Sequence, residues 1–267
     1  MASKFPRSDS GAEVEAVSKV GTFRETIQTV VYAVLFAVVV RTFLFEPFNI
    51  PSGSMVPTLL VGDYLFVSKY SYGYSRHSLP FSPPLFKGRI FESHPERGDV
   101  AVFKLPKDNK TDYIKRIVGL PGDRIQIISG ILHINGKPVK RRRTGYFRGD
   151  GSDIGTAPQY FETLPGERIH KIIETHGDKS RWDNTDVYTV PEQHYFAMGD
   201  NRDGSLDSRV VYFNNGMSTA PVGFVPAENL VGKAEFLFYS TNGKARIWEI
   251  WKWPITVRYS RLFNAIE

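Results

Sequence analysis

The hydrophobic pattern of the chain changes sharply at residue 45. Before that point stands its most apolar stretch, TIQTVVYAVLFAVVVRTFLF, residues 26–45. A helix crosses a bilayer with about 20 mostly apolar residues, and Arg41 can extend its long side chain to the lipid headgroups. The run predicts a single N-terminal transmembrane helix, with a buried core helix as the alternative. A cleaved signal peptide is disfavoured, because RTFLFEPFNIP contains no small-x-small cleavage site.

After residue 45 the pattern becomes that of short strands. Gly, Pro, Asp and Asn separate runs that are rich in β-branched and aromatic residues. These runs are DYLFVSKYSYG, RGDVAVFKLP, DYIKRIVGL, DRIQIISGILHING, HYFAMGD and AEFLFYS. Asn135 and Gly136, between ILHI and KPV, predict a hairpin with a tight turn. The sequence shows no long amphipathic helix and no repeat, so we predict a mainly β protein.

Two stretches interrupt the strand-rich core. Residues 71–96 are rich in Pro and aromatic residues, which predicts an extended loop or a long hairpin. Residues 140–193 are polar and turn-rich, with a few strand-like runs such as ERIHKIIETH, and we interpret them as a smaller inserted domain. The predicted organisation is therefore a tail, an anchor, a core in two parts and an insertion: 1–25, 26–45, 46–139 with 194–267, and 140–193.

Two clusters of residues each allow two interpretations. KRRR, residues 140–143, is interpreted as a solvated charged turn, with contact to anionic lipid as the alternative. Trp248, Trp251 and Trp253 lie close together among Arg and Lys residues. Tryptophan suits both the membrane interface and a protein core, so both locations stay open for this end of the chain.

The distribution of Lys and Arg orients the predicted anchor. The segment before the anchor carries four of them, Lys4, Arg7, Lys19 and Arg24. After Arg41 none follows until Lys69. Because Lys and Arg are retained on the cytoplasmic side of a membrane, we predict a cytoplasmic tail and a core on the opposite face.

Composition removes several classes of function. The net charge of +6 would suit an anionic surface, but no motif of a nucleic-acid-binding protein accompanies it. Nucleic acid is therefore not an expected partner. The chain has no cysteine, which excludes disulfides, cysteine nucleophiles and thiolate metal sites.

Candidate chemistry begins in FNIPSGSMVPTLLVGD, residues 48–63. Ser54 is a candidate nucleophile, and Gly53 before it lets the backbone approach a substrate closely. A serine hydroxyl needs a base to take its proton. None of the six histidines lies in a recognisable triad motif, and no G-x-S-x-G elbow occurs, although triad order varies between folds. No H-E-x-x-H occurs and His170 and His176 lack a ligand spacing, so no metal is expected.

A lysine is the third kind of base. Burial among apolar neighbours disfavours the charged ammonium and lowers its pKa, which lets a lysine accept a proton. Lys115 in DYIKRIVGLPGD lies in an apolar strand pattern, and alternation would place it on one face with Tyr113 and Ile117. The pattern alone equally allows a lysine on a solvent-facing strand edge.

A further polar cluster, GDNRDGSLDSR at residues 199–209, has by itself the composition of a turn. Four motifs follow the apolar segment in order: PSGSMVPTLLVGDYLFVSKYSYG, RGDVAVFK, DYIKRIVGLPGD and GDNRDGSLDSR. Together they resemble the conserved boxes of the bacterial type I signal peptidases, serine proteases of the S26 type with a Ser–Lys dyad. The resemblance covers most of residues 46–125 and 195–240. It implies an antiparallel β-sheet catalytic core, with the insertion as a second small β-rich domain.

The resemblance also implies roles for individual residues. Ser54 matches the nucleophile and Lys115 the general base. Ser52, with the Ser54 backbone N–H, matches the oxyanion hole, and Ser205 matches a hydroxyl that hydrogen-bonds and orients the lysine. The supporting positions are Asp207 with Arg209 as an ion pair, and Asp200, Tyr113 and Arg116. The substrate-binding positions are Phe48, Ile50, Pro51, Met55 and Ile114.

The function that the resemblance implies is removal of N-terminal signal peptides from exported pre-proteins, with cleavage after small-x-small sites. The expected partners are those pre-proteins and membrane lipid, without a cofactor, at the bacterial inner (plasma) membrane. Two alternatives differ in class. A self-cleaving repressor protease would need a DNA-binding module where this chain has its apolar segment. A membrane-tethered β module that only binds peptides would not need Ser54, Lys115 and Ser205.

Overall fold

The computed structural model describes residues 10–80, 82–149, 154–177, 180–210, 212–214, 217–219, 221–244 and 248–267, with backbone alone for 10–22, 212–214, 217–219 and 250. Parts of the predicted regions lie outside the described residues: 1–9 of the tail, 81 of the 71–96 loop, 150–153 and 178–179 of the insertion, and 211, 215–216, 220 and 245–247 of the core. The chain divides into two units, one ending at Arg41 and the other covering Thr42–Glu267.

The described residues of the first unit, from Ser10 onward, belong to a long helix, α1 Ser10–Phe43. Its stretch Phe23–Phe43 has 21 residues, a mean hydropathy of 1.7 and only 6% of its apolar window buried. By length and composition it is the one helix in the described residues that could cross a membrane. The helix ends at Phe43, two residues before the predicted end of the anchor. Phe45 is already the first residue of the first strand.

The regular secondary structure of the second unit is mostly strand, as the runs of β-branched and aromatic residues predicted. In chain order the strands are β1 Phe45–Asn49, β2 Asp63–Ser68, β3 Val100–Lys104, β4 Asp112–Gly119, β5 Arg124–Ile128, β6 Ile131–Ile134, β7 Lys137–Pro138, β8 Lys140–Arg148, β9 Thr156–Leu164, β10 Arg168–Ile173, β11 Tyr188–Thr189, β12 His194–Met198, β13 Tyr212–Asn214, β14 Met217–Thr219, β15 Val225–Pro226 and β16 Leu230–Ser240. One further short helix, α2, covers Trp253–Thr256.

Antiparallel pairing joins these strands into four sheets within the described residues. The largest has seven strands in the order β1-β2-β16-β3-β4-β12-β15. The others have the orders β11-β5-β6-β7, β10-β9-β8 and β13-β14. The mainly β, antiparallel fold is therefore confirmed. The predicted hairpin is confirmed too, because Asn135 and Gly136 have φ angles of 54° and 77° between β6 and β7.

The predicted insertion holds the whole three-stranded sheet β10-β9-β8. Farther along, β11 pairs with β5, so this stretch of chain rejoins the core before residue 194. KRRR is a strand rather than the predicted turn, since residues 140–143 open β8 and pair with β9. Arg141 in this strand is half-buried and forms an ion pair with Glu174 at 2.5 Å.

The tryptophan cluster is on the surface. Trp248, Trp251 and Trp253 are 64%, 69% and 43% exposed. Burial in the core is therefore excluded for these side chains, and contact with lipid stays a prediction.

Apolar side chains from both faces of the large sheet form its core. One cluster on this sheet includes Met55, Leu59, Leu65 and Val102, and another includes Phe103 and Ile117. The first cluster contains residues that flank Ser54, so the hydrophobic core itself fixes the start of the candidate site.

Candidate active site

Ser54 lies in a short turn after β1. Residues Gly53–Met55 form one turn of 3₁₀-helix, and Met55 and Val56 are fully buried. Ile50, before the turn, donates its N–H to Asp63 O at 2.8 Å and accepts from Gly62 N at 3.0 Å. Apolar burial on one side and this pairing on the other hold Ser54 in place, with 9% of its surface exposed.

Lys115 reaches Ser54 from the middle of β4. Its strand position is opposite Ala101 of β3, and the residue is 4% exposed. Its Nζ lies 2.8 Å from Ser54 Oγ and 2.9 Å from the Ile114 carbonyl oxygen. The Nζ also lies 5.3 Å from the centre of the Tyr113 ring, as expected for neighbours on one strand face. The structure thus brings the two predicted catalytic residues together, and the solvent-exposed alternative for Lys115 is wrong.

The surroundings of Lys115 weaken its hold on a proton. Burial lowers the pKa of Lys115 from 10.5 to about 8, although the charges of Asp207 and Asp200 act in the opposite direction. On the order of a tenth of the molecules then carry a neutral lysine at pH 7. A neutral amine at hydrogen-bond distance from a serine hydroxyl can accept its proton.

Ser52 and Ser205 are the two further serines predicted at the site. Ser52 is exposed, and its Oγ is 3.4 Å from Ser54 Oγ. Ser205 is 4% exposed, and its Oγ forms no hydrogen bond within the described part of the chain. The predicted hydrogen bond from Ser205 to Lys115 is therefore not formed here, because the contacts of Nζ go to Ser54 Oγ and Ile114 O.

Gly199 makes room for this arrangement. A Cβ built on Gly199 would lie 2.2 Å from Ser205 Oγ and 2.5 Å from the Ser54 carbonyl oxygen. Only a glycine fits between the nucleophile turn and Ser205 at these distances.

Two buried ion pairs lie beside the site, at the residues predicted to support it. Arg209 donates to Asp207 at 3.0 and 2.9 Å. Arg116 donates to Asp200 at 2.9 and 2.8 Å. Burial alone would raise the pKa of each aspartate, but the arginines outweigh it and hold both below their ordinary value. The arginines also offset carboxylate charges that would otherwise keep Lys115 protonated.

The structure places further buried residues near the site that the sequence did not predict there. Arg202 donates from Nη1 to Glu162 Oε1 at 2.8 Å and from Nη2 to Oε2, which joins the GDNRDGSLDSR loop to β9. His170 Nε2 lies 3.3 Å from Glu162 Oε2, and burial lowers the pKa of this histidine. Asn201 contacts the nucleophile turn directly. Arg202 and Asn201 stood in a motif already singled out, but only the fold reveals their partners.

A cleft of about 500 Å³ opens beside Ser54 and Lys115. Its lining residues are Phe48, Asn49, Ile50, Pro51, Ser52, Ser54, Val102, Thr111, Asp112, Tyr113, Ile114, Lys115, Gly204 and Leu206. Four of the predicted substrate-binding residues lie there, namely Phe48, Ile50, Pro51 and Ile114. Met55 is not among the lining residues, because its side chain is fully buried in the core beneath the turn, and its substrate-binding role stays a prediction.

Two strand edges border the cleft. β1 pairs with β2 on one side only. β12 pairs with β4 from Arg116 onward, so within the described chain no strand covers this side of Asp112–Lys115. The Ile114 carbonyl faces the cleft side, since it accepts from Lys115 Nζ. Both edges carry backbone groups that an extended peptide could pair with.

None of the residues that line the cleft is a histidine. The described residues also contain no group of three or more His, Cys, Asp or Glu side chains that could hold a metal ion. The residue types in the cleft suit acid–base and nucleophilic chemistry by Ser54 and Lys115.

A serine at hydrogen-bond distance from a buried lysine, in a cleft of an antiparallel sheet, is an arrangement suited to the chemistry of a serine hydrolase. The family model of signal peptidase, peptidase S26, matches residues 23–239. The chain therefore belongs to the peptidase S26 family of signal peptidases, and the resemblance of its motifs is confirmed.

Individual relatives agree with this family. The chain is 41% identical over 261 residues to signal peptidase I of Rickettsia typhi, covering 91% of this chain and 94% of the relative. It is 42% identical over 252 residues to signal peptidase I of Rickettsia conorii, covering 87% and 89%. A crystal structure of a signal peptidase I from Enterococcus faecalis is 23% identical, with a TM-score of 0.29, covering 53% of this chain and 97% of that one.

Proposed function

We propose that this chain is a single-pass, membrane-anchored serine endopeptidase that removes N-terminal signal peptides from exported pre-proteins. The observation that carries the proposal is the 2.8 Å contact between Lys115 Nζ and Ser54 Oγ, with the lysine buried. Family membership supplies the substrate class, because the relatives are signal peptidases. The apolar stretch Phe23–Phe43 would anchor the enzyme in the bacterial inner membrane, with the core on the extracytoplasmic face.

The reaction is an acyl transfer in which each proton has a carrier. Neutral Lys115 takes the Ser54 proton while Ser54 Oγ attacks the scissile carbonyl carbon. The Ser52 hydroxyl and the Ser54 N–H donate to the oxyanion that forms. Lys115 then returns the proton to the leaving amine, which is the new N-terminus of the mature protein. Lys115 then deprotonates a water molecule, which attacks the acyl-enzyme carbonyl; the bond to Ser54 Oγ breaks, Lys115 returns the proton to that oxygen, and the signal peptide is released.

Substrate selection follows from the cleft. An extended peptide would pair with the edges of β1 and β4, as in β-strand addition. Successive side chains of a strand point to opposite sides, so the residues at −1 and −3 would face the same wall. Ile50, Val102 and Ile114 give that wall an apolar surface close to Ser54. Shallow apolar sites accept small side chains and reject larger ones by overlap.

We expect a pre-protein with Ala at −1 and −3 to be cut once, after the residue at −1. Replacing the −1 Ala by Leu should lower kcat/KM at least about 100-fold, because the larger side chain overlaps the apolar wall. The measurement is cleavage by the full chain in liposomes, with the products identified by mass spectrometry.

The matched control is Leu at −2, which should leave kcat/KM close to the original value because that side chain points away from the wall. Equal rates for all three pre-proteins would contradict the proposed specificity. A wild-type chain that binds the pre-protein and never cuts it would favour the tethered binding module.

The pH dependence of cleavage should identify the base. Lys115 must be neutral to act, so kcat/KM should rise with pH through the pKa of about 8 and reach a plateau above it. Below pH 7 the rate should fall about tenfold per pH unit. The measurement is kcat/KM from pH 6 to 10 with a peptide that does not titrate in this range. A midpoint between pH 6 and 7 would instead indicate a histidine base.

A further inference from the structure

Asn201 ties the two halves of the candidate site together. It is 3% exposed and directly follows Asp200. Its backbone N–H donates to the Ser54 carbonyl oxygen at 3.1 Å, and its side-chain Nδ2 donates to the Gly53 carbonyl oxygen at 3.1 Å. Its Oδ1 accepts from Gly204 N at 3.0 Å, next to Ser205. One side chain thus links the nucleophile turn to the loop that carries Ser205.

The contact with Gly53 has a consequence for the Ser54 N–H. The Gly53 carbonyl and the Ser54 N–H belong to one peptide unit, which is planar and rigid. In a trans unit the two groups point in opposite directions. A hydrogen bond that fixes the Gly53 oxygen therefore fixes the direction of the Ser54 N–H. Without it the Gly53 oxygen would keep only the bond from Val56 N at 3.2 Å within the turn, and Gly53 is conformationally permissive, so the direction of the unit would be less well fixed.

The space around Asn201 and the turn is tightly filled. A Cβ on Gly204 would lie 2.5 Å from Asn201 Nδ2, so the loop backbone passes directly against the amide. On the other side of the turn, a Cβ on Gly53 would lie 2.9 Å from Ile154 Cδ1. The peptide unit between Gly53 and Ser54 is therefore held between an amide donor and an apolar side chain from the insertion.

The insertion also holds Asn201 itself. Ile173, the last residue of β10, forms a bridge with Asn201. The Ile173 N–H donates to Asp200 O at 3.0 Å, and the Ile173 carbonyl accepts from Arg202 N at 3.0 Å. Its side chain is fully buried in a cluster with Val56 and Leu60, just after the nucleophile turn. Strand β10 thus supports both the turn and the residue that clamps it.

We propose that Asn201 is a positioning residue that aims the Ser54 N–H at the substrate oxyanion, with β10 of the insertion as its support. This inference rests on the proposed function, in which that N–H is one of two oxyanion donors. It gives the sheet β10-β9-β8 a role in catalysis without any contact with the substrate.

The test is Asn201→Ala in the full chain, which removes the amide and keeps the backbone N–H to Ser54 O. Loss of a whole oxyanion donor costs about 10²- to 10³-fold in kcat, so a misaimed donor should cost about 10- to 100-fold. KM and the midpoint of the pH profile should stay unchanged, because substrate binding and Lys115 are untouched. A small-x-small peptide aldehyde should bind more weakly by the same factor, since its oxygen occupies the oxyanion position once Ser54 has added to it.

Asn201→Asp is the second variant, for the case that Asn201→Ala does not fold. It keeps the shape and the acceptor for Gly204 N but presents a carboxylate oxygen to the Gly53 oxygen. The aldehyde affinity of Asn201→Asp, measured on the plateau of the pH profile, should fall at least as far. Gln126→Ala is the matched control, because Gln126 also donates an amide hydrogen bond at 3.1 Å to a backbone carbonyl, that of Thr185, within another sheet.

A folded Asn201→Ala chain with wild-type kcat and aldehyde affinity would overturn the inference. So would losses that match those of Gln126→Ala at equal loss of thermal stability, since that pattern is purely structural. Ser54→Ala, measured alongside, separates the two proposals. If it cuts at the wild-type rate, the proposed function itself fails. If it is inert while Asn201→Ala is unaffected, only the role of Asn201 fails.

Discussion

Ser54→Ala and Lys115→Met are each expected to lower the rate of pre-protein cleavage by at least about 10³-fold. The first variant removes the nucleophile and the second removes the base that lies 2.8 Å from it. The double variant should be no slower than either single variant, because residues that act as one unit give non-additive losses. Lys115→Arg should not restore activity, since a guanidinium stays charged at any pH of interest. The measurement is single-turnover cleavage in liposomes.

The same Lys115→Met variant should be more stable than the wild-type chain at pH 7. The pKa of Lys115 falls from 10.5 in an unfolded chain to about 8 in the fold. Below pH 8 the folded chain therefore carries a protonated Lys115 although burial disfavours the charge, and this lowers its stability. That shift corresponds to at most about 3 kcal/mol. Between pH 8 and 10.5 the unfolded chain binds more protons, so wild-type stability should rise with pH there, whereas that of Lys115→Met should not.

Lys69→Met is the control for this stability gain. Lys69 is also buried, at 2% exposed, but its Nζ forms an ion pair with Glu46 at 2.8 Å and donates to Ser78 O at 2.9 Å. Replacing it leaves Glu46 without this partner and should destabilise the chain. Thermal unfolding in detergent at pH 7 measures both variants. If Lys115→Met were the less stable of the two, the lowered pKa of Lys115 would be wrong.

Local sequence pattern predicted most of the fold because strands and turns depend on neighbouring residues. The β-branched and aromatic residues of DYLFVS and VAVFK predicted β2 and β3, and Asn135 with Gly136 predicted the hairpin turn. The strand around Lys115 was recognisable for the same reason. Whether Lys115 faced a core or solvent was open from the pattern, and it depended on a turn 61 residues away.

The remaining features of the site depend on pairs of residues that are distant in sequence. Glu162 and Arg202 are separated by 40 positions, and Gly53 and Asn201 by 148. A charged residue in a strand such as β9 is expected on the surface unless a partner for its charge is known. The error at KRRR has a similar origin. Its charges indicated a turn, but pairing with β9 makes residues 140–143 part of a strand.

The ion pair between Arg202 of the GDNRDGSLDSR loop and Glu162 of β9 joins the catalytic core to the insertion. The stability of the chain should depend strongly on both charges of this pair. Arg202 and Glu162 are 2% and 1% exposed and bonded through both arginine Nη atoms. Removing one member of a buried pair costs about 3–5 kcal/mol, because the other charge stays buried without its main partner. Arg202→Met should therefore lower the free energy of unfolding by about that amount. The measurement is denaturant unfolding at pH 7.

Lowering the pH should restore part of the stability of Arg202→Met, and this pH dependence would identify Glu162 as the buried charge. Burial alone would raise the pKa of Glu162, but in the wild-type chain Arg202 and His170 hold it below its ordinary value. The wild-type pair therefore contributes stability above the unfolded pKa of about 4.5, which is lost only at lower pH. In Arg202→Met burial would dominate and raise the pKa of Glu162, so stability should increase as pH falls from 7 to 5. The double variant Glu162→Leu with Arg202→Met should regain much of the loss at pH 7, since an apolar pair leaves no buried charge. A variant with no gain at pH 5 and no recovery in the double would show that the pair does not hold β9 to the catalytic loop.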